Sequence, residues 1–165
     1  MQIPRWVRHL PWLSPARRLA WYPPFHAMSV QVLELSDDWR HARIRLPLNR
    51  FNRNPGGGMF GGAVAALADP IAALACNQVF PGHRLWTRGL EIDFMREGRS
   101  DLELRFDLAA QQEREIRAEL ARRGRATPAL EFGFFDTRGR QCVKVVNIVA
   151  IRPRDYRPSG DRQDD

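Results

Sequence analysis

Asp69 is a carboxylate set in an apolar run, with Leu67 and Ala68 before it and Pro70 and Ile71 after it. An ionised side chain costs too much to place among such neighbours without a partner or a purpose. The purpose such an acid suits is proton abstraction, as a general base. Seven residues before it lies Gly62, the second of the pair Gly61-Gly62, and before that the run Asn54-Pro55-Gly56-Gly57-Gly58. A helix that begins at this pair exposes leading N–H groups with no intrahelical partner, and its dipole adds partial positive charge there. Glycine has no side chain to block an approach to that backbone. A negative oxygen developing under attack could be held there, and one such donor is worth about 3 kcal/mol of barrier.

Each residue also has a plainer role open to it. The glycines could serve only close packing of helix on sheet. Asp69 could be the N-cap of a second helical segment that starts at Pro70, or could pair with an arginine of another subunit. Pro70 removes one helical N–H and should kink the helix beside the acid. Asn54 could clamp a substrate, tie down the glycine loop or simply hold a turn, and Asn52 offers a weaker version of the same. His9, His26, His41 and His83 form no recognisable triad.

The elements that must position these groups follow from periodicity. Phe60 to about Phe80 reads as one helix, small or apolar on every face and so buried, ended by Pro81-Gly82. Strands are expected at Met28 to Leu35 and Trp39 to Leu46, with Asp37-Asp38 turning between them, then at Leu85 to Met95 and Asp101 to Ala109. Leu130 to Phe135 and Gln141 to Ile151 form a hairpin across Asp136 to Gly139. A charged helix over Gln111 to Arg123, whose arginines are expected to form a solvated face, ends at Gly124. Two strands, one apolar helix and four strands make an α+β layer arrangement, with one antiparallel sheet wrapped around the helix.

Residues 1–25 are a Trp/Arg/Pro-rich arm, with Ser14 and Pro15 starting a short helix to about Leu19. Its tryptophans and arginines suit membrane contact, but its prolines forbid one long amphipathic helix, so an arm packed on the domain is the favoured reading. The domain then covers 26–152, and 153–165 are a tail of disordered composition. A chain of 165 residues with net charge +7 and 26 lysines and arginines suits anionic partners, although a solvated basic surface is the favoured reading. The arginines are scattered and no nucleic-acid-binding motif occurs, which argues against nucleic acid. Two cysteines, Cys76 and Cys142, without ligand spacing support neither a disulfide scaffold nor a metal site, and suit a reducing cytoplasm. No signal peptide is visible, and the longest apolar stretch is broken at Asp69 and Pro70.

The spacing of Asn54, Gly57, Phe60, Gly61-Gly62 and Asp69 resembles the phenylacetate-type acyl-CoA thioesterases of the hot-dog-fold superfamily, over roughly residues 21–152. It is closest to a subgroup in which Phe-Gly-Gly stands where His-Gly-Gly is commoner. The resemblance implies a thioester hydrolase in which Asp69 activates water or attacks directly to give an acyl anhydride. Asn54 and the Gly61 and Gly62 amides would hold the thioester. It implies no cofactor beyond the coenzyme A of the substrate. Phe60, Gly57, Trp86, Thr87 and Phe94 would line the acyl site, although Trp86 and Phe94 could be plain core, and Thr87 could hold a water or the acid. Arg96 and Arg99 would meet the coenzyme A phosphates. It further implies a homodimer, or a dimer of dimers, in which the helix start of one chain faces Asp69 of the other. Phe60 can neither donate nor accept a hydrogen bond, which favours as the alternative a non-catalytic acyl-CoA binding module. A dehydratase of the same fold would need the missing histidine.

Overall fold

The computed structural model describes residues 14–156; residues 1–13, including Trp6 and Trp12 of the arm, and residues 157–165 of the tail lie outside the described residues. Ser14 caps α1 (Pro15–Ala20), its Oγ accepting from the Arg17 amide at 3.3 Å, and α2 (Pro23–Ala27) follows directly. Leu19 of α1 and Phe25 of α2 are buried in the main core, so this part of the arm shares the domain's interior.

Six strands follow: β1 (Gln31–Leu35), β2 (His41–Leu46), β3 (His83–Phe94), β4 (Leu102–Asp107), β5 (Ala129–Phe135) and β6 (Gln141–Pro153). They form one sheet in the order β1-β2-β4-β5-β6-β3, with every neighbouring pair antiparallel. The helix α3 (Gly61–Val79) lies between β2 and β3 in sequence and packs against β3, β6 and β4. The sheet thus wraps one apolar helix, which is the hot-dog arrangement. The smaller helix α4 (Ala110–Arg123) connects β4 to β5, and Gly124 closes it in the left-handed region at φ 65°.

Several boundaries move for local reasons. β1 starts three residues later than Met28, after a turn in which Ser29 takes φ 58°. β2 starts at His41 because Trp39 takes φ 60°, which no strand accommodates. Asp69 is not the N-cap of a second segment, since α3 runs unbroken through Pro70. Nor is α3 buried on all sides. Val64, Leu67, Ala68 and Ile71 face the core, whereas Gly62 and Ala66 are exposed and Ala65, Asp69 and Ala73 half-buried. These residues recur at i, i+3 and i+4, so they form one open flank of small side chains with the acid in its middle. The helix is long and apolar enough to cross a membrane by length and composition, and here it serves as the core helix.

The far end of α3 is finished by another helix. Arg117 of α4 donates to the Val79 carbonyl at 3.1 Å, stands 5.1 Å from the Phe80 ring centroid and pairs with Glu113 at 2.7 Å. That corrects the expectation of a purely solvated arginine face. Because Arg117 is half-exposed, Arg117→Ala is expected to cost only about 1 kcal/mol in urea unfolding, through loss of a cation at a helix C-terminus.

The outer face of β2 and β4 carries a charge ladder. His41 bonds Asp107 at 2.6 Å and Glu34 at 3.1 Å, and the Asp107 bond is the larger cause of a raised His41 pKa. A raised folded-state pKa means that the stabilisation is complete below the unfolded value near 6.5 and is lost as pH climbs through the folded one. The stability gap between wild type and His41→Gln should therefore be widest below about pH 6 and shrink at alkaline pH, by urea titration across that window.

Candidate functional site

The loop before α3 is built by its own backbone and by Asn54. The Asn54 Oδ1 accepts from the Gly58 amide at 3.1 Å, its Nδ2 donates to the Met59 carbonyl at 3.3 Å, and Gly57 turns the chain at φ 86°. Asn52, 1% exposed, donates to the Met28 and Pro47 carbonyls at 2.7 and 2.9 Å. Both asparagines thus hold the loop. Phe60 occupies the N-cap position, where its side chain offers no acceptor, so the leading amides of α3 start the helix without a side-chain cap.

Gly61, at this helix start, lines a cavity of about 290 Å³. Met59, Val64, Leu102 and Val143 give it apolar walls, and Asn54, Arg96 and Glu97 its polar ones. Phe94 also lines it. The space beside the two glycines is not empty. A Cβ on Gly61 would lie 3.1 Å from the Phe94 ring, and one on Gly62 would lie 2.4 Å from the Phe60 ring. The glycines make room for two of the chain's own aromatic rings, which are themselves 54% and 51% exposed.

Asp69 is not in this cavity. It lies eight residues from Gly61, or about 12 Å along the helix axis, half-buried on the open flank. Its carbonyl is held twice: Thr87 Oγ1 of β3 and Asn147 Nδ2 of β6 each donate to it at 2.8 Å. No bond ties its carboxylate to another side chain among the described residues. Thr87 therefore meets the acid's backbone rather than its carboxylate.

A bulge aims Thr87. Thr87 pairs with Val149 and Gly89 with Ile148, so Arg88 is the extra residue and the inward face changes phase across it. Leu85 and Thr87 face the helix before the bulge, and Leu90, Ile92 and Phe94 after it. Trp86 consequently points away from the helix, stacked on Tyr156 at 6.0 Å with Arg152 over its ring at 5.8 Å. It does not line the cavity, which corrects the expected acyl contact, and Gly57 does not line it either. Arg96 donates to the Gln141 carbonyl at 2.9 Å from the cavity wall, and Arg99 pairs with Glu97 at 2.7 Å.

Two residues escaped the sequence. Glu97, in the irregular connection from β3 to β4, is the carboxylate that shares the cavity with Asn54 and Gly61 within one chain. Asn147 sits in a valine-rich strand and is 0% exposed, and its Oδ1 has no hydrogen-bond partner among the described residues. An unsatisfied buried acceptor costs about 1–3 kcal/mol, and nothing in an alternating pattern announces it. Cys76 is no rival nucleophile, since burial pushes its thiol up to about 12.

The sequence model of a family described as a domain of unknown function (DUF4442) matches residues 14–150. No curated protein matches the chain. Solved structures do. A probable thioesterase from Pseudomonas aeruginosa, itself described as of unknown function, is 22% identical, with TM-score 0.68 over 78% of this chain and 85% of its own. A thioesterase from Haemophilus influenzae is 13% identical, with TM-score 0.62 over 82% and 87%. The PaaI protein of the phenylacetic acid degradation operon of E. coli is 15% identical, with TM-score 0.56 over 76% and 81%. At these identities the likeness establishes the shared hot-dog fold.

Proposed function

Since the chain belongs to the DUF4442 family and has the fold of structures named as thioesterases, we propose that it hydrolyses an acyl thioester, with acyl-CoA as the substrate class. One observation carries this reading: the uncapped start of helix α3, at Gly61, lines a cavity of about 290 Å³ with both apolar and polar walls, and the same helix carries a half-buried acid on an open flank.

The thioester carbonyl sits against the amides at Gly61 and Gly62, with its acyl group among Met59, Val64, Leu102 and Val143. For that, the exposed Phe94 and Phe60 rings turn aside. Asp69 takes a proton from water, and the hydroxide adds to the carbonyl carbon. The tetrahedral oxyanion is held by the amides. Collapse expels the thiolate, which takes up the proton, and the products are a carboxylic acid and free coenzyme A. Arg96, on the cavity wall, would meet the carrier's phosphates, and Arg99 would do so on leaving Glu97. The reaction needs no metal or other cofactor.

The distance between Asp69 and the cavity of its own chain is resolved by a homodimer, alone or paired into a dimer of dimers. Two features support it. Among the described residues β3 is a twelve-residue edge strand with one side unpaired in the sheet, and α3, which packs on it, has an open flank of small residues. Joining two such edges would bring the helix start of one chain towards Asp69 of the other. The two buried free cysteines suit a reducing cytoplasm.

A second reading, an acyl-CoA binding module without hydrolysis, is favoured by the Phe60 and Phe94 rings that cover the glycines. An acyl-CoA hydrolysis panel separates the two: turnover supports the enzyme, and saturable binding without turnover the module. Glu97 supplies an internal control. Glu97→Gln should keep kcat within about threefold of wild type, since general-base losses are far larger. A loss as deep as that of an Asp69 variant would move the base to Glu97.

A further inference from the structure

We infer that Asn147 and Thr87 are positioning residues for Asp69: two side chains from neighbouring strands grip its carbonyl and set the angle at which helix α3 presents the acid. This rests on the thioesterase reading above.

Three observations meet at one point of the helix. Pro70 has no N–H, so α3 lacks one ladder bond directly after Asp69. A straightforward core would fill the facing sheet with apolar side chains, as Val145 and Val149 do on either side of Asn147. Instead Asn147, 0% exposed, spends its amide on the Asp69 carbonyl at 2.8 Å and leaves its own Oδ1 unpartnered among the described residues. An apolar residue there would avoid that orphan. From β3, the bulge at Arg88 turns Thr87 inward to the same carbonyl, also at 2.8 Å. The amide orientation is set by the bond, because flipping it would put Oδ1 against the carbonyl oxygen.

The helix is therefore weakest where it carries the acid, and the sheet restrains it there from two strands. Without the grip, rotation about the Pro70 discontinuity swings the carboxylate relative to the partner's helix start. A displacement of about 1 Å at a reacting group can cost up to a hundredfold in rate.

The experiment uses the full chain with Asn147→Leu, Thr87→Val, Thr87→Ser and the double variant Asn147→Leu/Thr87→Val. It measures kcat and KM on the acyl-CoA that wild type turns over best, Tm, and hydrogen exchange of the Ala73 amide, which the helix directs at the same carbonyl. We expect Asn147→Leu and Thr87→Val each to lower kcat about tenfold with KM unchanged. The double variant should be little worse than either, because both act on one group. Thr87→Ser, which keeps the hydroxyl, should restore kcat. Asn147→Leu should hold or raise Tm, since it removes the orphaned acceptor, while Ala73 exchanges faster. Unchanged kcat with faster exchange would reduce the grip to a structural tether and overturn the proposal, as would a kcat loss that merely follows Tm. Absence of turnover by wild type would instead refute the thioesterase reading; slow, unaltered Ala73 exchange in the variants would refute the grip itself.

Discussion

Asp69→Asn is expected to lower kcat for the proposed acyl-CoA hydrolysis by about 10²–10⁴-fold, the range over which a positioned general base acts. The substitution keeps the shape of the side chain and removes its ability to take a proton. KM should stay near the wild-type value, because in the proposed mechanism the substrate rests on the amides and the cavity rather than on the acid. Tm does not fall. The carboxylate makes no bond to another side chain among the described residues, and the bonds at position 69 go to the main-chain carbonyl, which the variant retains. A rate loss accompanied by a large drop in Tm would mean that the carboxylate has a structural task instead.

Gly61→Val gives the second large effect, a loss of about 10²–10³-fold in kcat, comparable with removing an oxyanion donor. In the proposed mechanism, a branched side chain at the cavity wall would hold the thioester oxygen away from the helix amides. The protein should still fold. The nearest atom to a new Cβ is the far end of the half-exposed Phe94 ring, at 3.1 Å, and that ring can turn outward. Gly61 is not in the left-handed region, so backbone strain adds nothing. Gly61→Ala, with a single methyl, should fall between the valine variant and wild type. Full activity in Gly61→Val would remove the helix start from the mechanism.

The parts that could be read from the sequence are those set by local patterns. The glycine loop and Pro81-Gly82 bracket α3, and strict alternation marks β4. The spacing from Asn54 to Asp69 was enough to indicate the fold. The rest depends on partners distant in sequence. The bulge at Arg88 exists only in the pairing of β3 with β6, so nothing in Leu85 to Phe94 told that Trp86 would face outward while Phe94 faced inward. Asn147 is one polar residue in a run of apolar ones, and its meaning comes from a carbonyl 78 positions away. Nothing local distinguishes Arg117 from the other arginines of α4; its role comes from the Val79 carbonyl, 38 positions away. The open flank of α3 was hidden by composition, because small apolar residues read as buried whether or not anything covers them.

Mixing two dead subunits tests most directly whether the site is assembled from two chains. Asp69→Asn and Gly61→Val proteins, unfolded together and refolded in equal amounts, form hybrids as about half of all dimers. Each hybrid has one site with both lesions and one with neither. The mixture is therefore predicted to recover about a quarter of wild-type activity, while each variant refolded alone recovers almost none. A mixture no more active than its parents, under conditions where hybrids form, would contradict the account and return both halves of the site to a single chain.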